Sequence, residues 1–96
     1  MDLELKGKRV FITGSTAGIG FATAKALLSE GASVVLNGRS PASVTTAVKK
    51  LEQEFPNESV SGIAADFSLP KEVNSLLENL PRIDILINNV GVYSSG

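Results

Sequence analysis

Four short apolar runs alternate with three segments of helical periodicity along the whole chain. The runs are rich in β-branched residues and predict strands at 8–13, 33–37, 59–65 and 84–90. Their apolar residues are mostly consecutive, whereas a strand with one solvated face alternates apolar and polar residues, so the runs are typical of strands buried on both faces of a parallel sheet. The pattern therefore predicts an α/β protein in which helices cover both faces of a parallel sheet.

Each predicted helix has a start or stop signal. Gly31 stands where a C-terminal cap glycine belongs after the first helix, Ser40 and Pro41 form an N-cap and first position for the second, and Ser68 with Pro70 starts the third. The predicted apolar faces are, in chain order, Ile19, Ala22, Thr23, Ala26 and Leu27; Val44, Ala47, Val48, Leu51 and Phe55; and Val73, Leu76, Leu77 and Leu80.

Right-handed crossovers between such strands favour the order 3-2-1-4, which is a doubly wound sheet of Rossmann type. The fourth strand would then lie at the edge of the sheet, although 84–90 carries none of the proline or bulge signals of an edge and little charge. We therefore expect residues 1–96 to be the N-terminal portion of a single Rossmann domain, incomplete because its C-terminal half is absent.

Composition excludes several kinds of chemistry. The 96 residues include no Cys and no His, which excludes a disulfide framework, a thiolate nucleophile, an imidazole base and the common zinc sites, and no metal site is predicted. A net charge of −1 gives no reason to expect nucleic acid or an anionic membrane as a partner. Neither a signal peptide nor a membrane-spanning run is present, so a cytoplasmic location is expected.

The loop "TGSTAGIG" (13–20) joins the first strand to the first helix, at the point where the strand order reverses. A helix N-terminus favours a phosphate, and Gly14, Gly18 and Gly20 allow the backbone to approach one closely. The spacing Gly-x3-Gly-x-Gly is neither the G-x-G-x-x-G fingerprint nor a P-loop. A tight turn alone would need one glycine, and three are costly in conformational entropy, so the loop predicts a site for a dinucleotide pyrophosphate.

Three stretches in register resemble motifs of the short-chain dehydrogenase/reductase family: the glycine loop, Asp66 after the third strand, and "NNVG" (88–91), in which Val90 replaces the usual alanine. The resemblance implies that Asn88 ties the fourth strand to its neighbours. It also implies a cofactor site. The pyrophosphate and the adjoining ribose would be lined by Gly14, Ser15, Thr16, Gly18, Ile19 and Gly20. The adenine would meet Asp66 and Phe67, and the ribose nearer the nicotinamide would lie beside Asn89 and Gly91. For Asp66, a role at the start of the third helix remains an alternative.

The end of the second strand, "LNGRS", bears on the choice of nicotinamide cofactor. NAD-preferring proteins of this fold place Asp or Glu there to accept hydrogen bonds from the ribose. This chain has Gly38 at that position, followed by Arg39 and Ser40, and an arginine can bind a 2′-phosphate through a bidentate fork. We therefore predict that Arg39 and Ser40 contact NADP(H), in preference to NAD(H); a solvated arginine in an ordinary loop is the alternative.

The resemblance further implies hydride transfer between the nicotinamide and a carbonyl or alcohol, carried out in the family by a serine, a tyrosine and a lysine. Tyr93 follows "NNVG" too closely to be that tyrosine, so no catalytic residue is assigned and this chain alone is predicted to be inactive. The full-length protein is expected to be a homo-oligomer that acts on a small molecule, whose identity stays open. Two alternatives are a non-catalytic dinucleotide-binding module and a small protein that uses the sheet edge as an interaction surface.

Overall fold

A computed structural model describes residues 5–89 of the chain. Strands and helices alternate in the predicted order. Their bounds are β1 Arg9–Ile12, α1 Gly18–Ser29, β2 Ser33–Gly38, α2 Pro41–Glu54, β3 Val60–Ala64, α3 Pro70–Asn79 and β4 Ile85–Ile87.

The four strands form one parallel sheet in the order β3-β2-β1-β4. Val10 of β1 lies opposite Val34 of β2 on one side and Ile85 of β4 on the other. Val34 in turn lies opposite Val60 of β3. The predicted fold class and strand order are confirmed, and all four strands end at the same edge of the sheet.

Alternate residues of the strands face two separate hydrophobic clusters. Val10 and Ile12 pack with α1 and α2 on one face, through residues such as Leu28 and Leu51. Phe11 packs on the opposite face against Leu76 of α3. Burial on both faces of β1 and β2 explains why these two strands are apolar without alternation.

The face that α1 turns to the sheet differs from the prediction by one position. Its buried residues are Gly20, Ala24 and Leu28, whereas Ile19 is 79% exposed. Two of the three buried positions carry glycine or alanine, so the helix lies close to its neighbours. The prediction was wrong for Ile19, Ala22 and Ala26, which are exposed, whereas Leu27 packs against the core as predicted.

The predicted helix ends are mostly confirmed. Ser40 caps α2 by accepting a hydrogen bond from Ser43 N at 3.2 Å, and Gly31 follows α1 with a φ of +90°. Ser68 is not the cap of α3, because Leu69 holds that position and the Ser68 hydroxyl donates to Asp66 instead. Along α3 the predicted apolar face also fails at Leu77, which is 63% exposed.

β4 lies at the edge of these four strands, as predicted. Leu86 is 63% exposed there, which is unusual for an apolar side chain on a strand. At the other edge, an added Cβ on Gly62 of β3 would collide with Val44, so this glycine lets α2 lie directly on the strand. Within residues 5–89 no helix is long and apolar enough to cross a bilayer.

Candidate functional site

A cleft of about 480 Å³ opens at the carboxyl edge of the sheet. It brings together five of the residues that the sequence assigns to a cofactor, from three different loops: Gly14, Thr16, Arg39, Asp66 and Phe67. Ala17, Asn37, Gly38, Ala65 and Ser68 complete its lining. A depression of about 400 Å³ at the opposite edge, around Arg9, Arg82 and Asp84, contains none of the predicted site residues.

The three glycines between the end of β1 and the first turn of α1 serve two different purposes. Gly14 and Gly18 adopt left-handed backbone conformations, with φ of +59° and +63°, which other residues rarely adopt. Around Gly18 an added Cβ would meet nothing within 4 Å, so the loop is open to solvent there. At Gly20 an added Cβ would lie 2.5 Å from Gly14 O and 2.8 Å from Asn89 Nδ2, so this glycine is required by packing.

The N-terminus of α1 has no protein partner within the described chain. Ala17 at the cap position provides no side-chain hydrogen bond, and the first turn contains no acidic residue. Among residues 5–89, nothing accepts a hydrogen bond from the N–H groups of Gly18, Ile19 or Gly20. These donors and the helix dipole together suit an anion.

Ser15 fixes the loop to the sheet. It is fully buried, its Oγ donates to Ile12 O at 2.7 Å, and its N–H donates to Asn37 O at 2.7 Å. The same Oγ accepts from Asn37 N at 2.9 Å. Both polar groups of Ser15 are thus used within the protein, and its predicted contact with a cofactor stays a prediction.

Asn37, which the sequence analysis did not assign to the site, connects the loop to β3. Its Oδ1 accepts from Gly14 N at 2.9 Å and its Nδ2 donates to Ile63 O at 3.1 Å. The residue is only 1% exposed. A polar residue at the end of the apolar run "SVVLN" was the one sequence signal that could have identified it.

The end of β4 is tied to the same loop. Thr13 Oγ1 donates to Asn88 Oδ1 at 3.0 Å and accepts from Asn89 N at 2.9 Å, which confirms the predicted role of Asn88. Asn89 Nδ2 donates to Gly14 O at 2.9 Å, so Asn89 also holds the loop. Its predicted contact with a ribose stays a prediction, and Gly91 and Tyr93 lie outside the described residues.

Arg39 lies exposed at the cleft, directly after β2. Its guanidinium makes no hydrogen bond or ion pair with any residue in the range 5–89. An added Cβ on Gly38 would lie 2.5 Å from Thr16 Cγ2, so the absence of a side chain at position 38 provides the space for Thr16. Ser40, the other predicted contact, uses its hydroxyl to cap α2.

Asp66 forms a turn at the start of the segment that leads into α3. Its Oδ1 accepts from Ser68 Oγ at 2.7 Å and from Ser68 N at 2.9 Å. The bond from the Ser68 hydroxyl makes the largest contribution to lowering the pKa of Asp66 below its ordinary value of 3.8, and the bond from the Ser68 backbone comes next. The charge of Arg39 makes a smaller contribution. The carboxylate thus holds the turn with Oδ1, while Oδ2 makes no hydrogen bond within residues 5–89, and the residue lines the cleft.

Because its folded-state pKa is lowered, ionised Asp66 stabilises the fold above its unfolded-state pKa of 3.8, and this contribution is lost as the pH falls through the folded-state pKa. We predict that Ser68→Ala raises the pKa of Asp66 toward its ordinary value, since the hydroxyl bond is lost while the backbone bond remains. An NMR titration of the Asp66 carboxyl carbon measures this. Ser61→Ala, at an exposed serine of β3, is the control; an unchanged pKa in Ser68→Ala would contradict the assigned cause.

The family model described as short chain dehydrogenase matches residues 8–96. The uncharacterized oxidoreductase YvrD of Bacillus subtilis is 45% identical over 96 residues, which are 97% of this chain and 35% of that protein. A 3alpha-hydroxysteroid dehydrogenase of Mediterraneibacter gnavus is 33% identical over 99 residues, which cover 99% of this chain and 40% of the relative.

Solved structures of oxidoreductases are similar to this fold. L-sorbose reductase from Gluconobacter frateurii, complexed with NADPH and L-sorbose, superposes with a TM-score of 0.82 at 35% identity, over 96% of this chain and 36% of that one. A short-chain dehydrogenase from Sphingobium yanoikuyae in complex with NADPH gives 0.77 at 31% identity, over 88% and 34%. The chain thus spans well under half the length of the proteins it matches.

Proposed function

This chain belongs to the short-chain dehydrogenase/reductase family, and from that premise we propose that residues 1–96 form the NADP(H)-binding N-terminal portion of an oxidoreductase domain. The observation that carries the proposal is the cleft itself. It gathers the glycine loop, Arg39 and Asp66 beside a helix N-terminus whose first N–H groups have no partner within residues 5–89.

The chemistry of these groups fits a dinucleotide. The free donors at the start of α1, and the open backbone at Gly18, suit a pyrophosphate. Asp66 Oδ2 would accept a hydrogen bond from the adenine amino group, and Phe67, which is 38% exposed, would pack against the ring. Ser15 and Asn89 would act by holding the loop in place, while Thr16 and Ile19 would line its open side.

A preference for NADP(H) follows from the end of β2. A carboxylate side chain at position 38 would repel a 2′-phosphate, and the chain has glycine there. The guanidinium of Arg39, which makes no hydrogen bond or ion pair in the described part of the chain, would pair with that phosphate through two parallel hydrogen bonds, and Ser40 would lie beside it. The similar structures that hold NADPH are consistent with this choice.

The bound nicotinamide would supply or accept the hydride, and the other reactant would be a small-molecule carbonyl or alcohol. We assign no catalytic acid or base within residues 1–96. The residues of this chain would bind and orient the cofactor, and general acid/base groups would come from the remainder of the full-length protein. Isolated residues 1–96 would accordingly have no turnover.

The test is a titration of the full-length protein with NADPH and NADH by calorimetry, followed by a screen for NADPH oxidation with ketones, sugars and acyl thioesters. We expect NADPH to bind about 10- to 100-fold more tightly than NADH, since one charge-assisted pair accounts for that range. Binding without turnover on any substrate would favour a non-catalytic dinucleotide-binding module. If neither NADPH nor NADH binds, the proposal is refuted.

A further inference from the structure

One buried side chain joins the two walls of the cleft. The first wall is the glycine loop after β1, and the second is the segment from Ile63 to Phe67 at the end of β3. We propose that Asn37 is a positioning residue, whose carboxamide sets the separation of these walls and thereby the affinity for a ligand that spans both. This inference rests on the proposed function, because the spanning ligand is NADP(H).

The hydrogen bonds of Asn37 divide between the walls. Its acceptor oxygen bonds to Gly14 N at 2.9 Å, in the first wall. Its donor nitrogen bonds to Ile63 O at 3.1 Å and lies 3.5 Å from Ala65 O, in the second. Its own backbone is fixed to the loop by Ser15, so the side chain has a rigid base.

An amide is suited to this position because the two walls make opposite demands. The loop presents an N–H donor, and β3 presents carbonyl acceptors. A carboxylate can accept but not donate, and a hydroxyl is too short to reach both walls at once. Because the residue is 1% exposed, water cannot substitute for a lost partner.

The effect on binding follows from where the bonded atoms lie. Gly14 precedes the backbone that would hold the pyrophosphate, and Ala65 precedes Asp66 and Phe67, which would hold the adenine. A ligand that contacts one wall is indifferent to their separation. A ligand that contacts both depends on it, because binding at the second wall is favoured only while the first holds it within reach.

The variant Asn37→Leu tests this, since it keeps a similar side-chain volume and adds no charge that could repel a phosphate, but removes the bonds to Gly14 N–H and Ile63 O. The full-length protein is titrated with two probes: NADPH, which spans the cleft, and adenosine 2′-monophosphate, which reaches only Arg39 and the second wall. We expect the variant to bind NADPH on the order of 10- to 100-fold more weakly and adenosine 2′-monophosphate within about twofold of the native value. Asn57→Leu, at an exposed position between α2 and β3, is the matched control and should change neither.

A purely structural role for Asn37 predicts a different outcome, in which the affinities for both probes fall together or neither affinity changes. Either result overturns the positioning role. Should Asn37→Leu fail to fold, Asn37→Thr, which keeps one hydroxyl on a strand-compatible side chain, is measured in the same way. Failure of the native protein to bind NADPH would instead refute the proposed function. If the native protein binds NADPH but the ratio of the two Kd values is the same in the Asn37 variant, this inference alone is refuted.

Discussion

Replacing Arg39 with aspartate is expected to reverse the cofactor preference. The Kd for NADPH should rise by about a hundredfold, while the Kd for NADH should stay within about twofold or improve. The guanidinium is exposed at the cleft and has no hydrogen-bonding partner among residues 5–89, so its removal leaves no buried group unsatisfied. The free energy of unfolding should therefore change little, and the effect should appear in binding.

The size of the expected effect comes from two changes that act in the same direction. Loss of a charge-assisted pair with the 2′-phosphate accounts for about 10- to 100-fold, and the introduced carboxylate repels the same phosphate. For NADH the new carboxylate can accept hydrogen bonds from the ribose hydroxyls, which is the arrangement in NAD-binding proteins of this fold.

Calorimetric titration of both cofactors against native and Arg39→Asp protein measures the change. Arg82→Asp is the matched control, since it makes the same change of charge at an exposed arginine before β4, at the opposite edge of the sheet. If the ratio of the two Kd values is the same in native and Arg39→Asp protein, Arg39 does not bind the 2′-phosphate.

The second large effect is expected from Gly20→Ala, which should destabilise the fold by about 2 kcal/mol. An alanine Cβ would lie 2.5 Å from Gly14 O and 2.9 Å from Ser15 Cα, and these backbone atoms are themselves fixed by hydrogen bonds. Either the loop or α1 must move. Because the loop carries the proposed pyrophosphate site, NADPH binding should weaken by about tenfold or more.

The sign of this prediction distinguishes packing from helix propensity. Gly20 lies in the first turn of α1, where alanine would stabilise an isolated helix by up to about 1 kcal/mol. Ala26→Gly, at an exposed position of the same helix, measures that contribution directly and should cost about 1 kcal/mol. Denaturant unfolding of both variants gives the two free energies, and a Gly20→Ala protein as stable as the native one would contradict the close packing seen here.

The order of strands and helices could be predicted from the sequence because periodicity reports a local property. A run such as "SVVLN" favours burial on both faces of a sheet, whichever strands lie beside it. Ser40-Pro41 favours the start of a helix through its own backbone and side chains. Crossover handedness then reduces the possible sheets to the observed order. The glycine loop, Arg39 and Asp66 could be predicted as neighbours for the same reason, since parallel strands end at one edge.

The tertiary structure alone decided which atoms meet. Thr16 occupies the space beside Gly38, Asn37 bridges Gly14 and Ile63, and neither contact follows from any spacing along the chain. Each depends on the register between strands that are distant in sequence, which decides which side chains lie opposite one another. The packed face of α1 was missed for a related reason: how closely a helix approaches its neighbours depends on the shape of both surfaces, and Gly20 contributes to it by having no side chain at all.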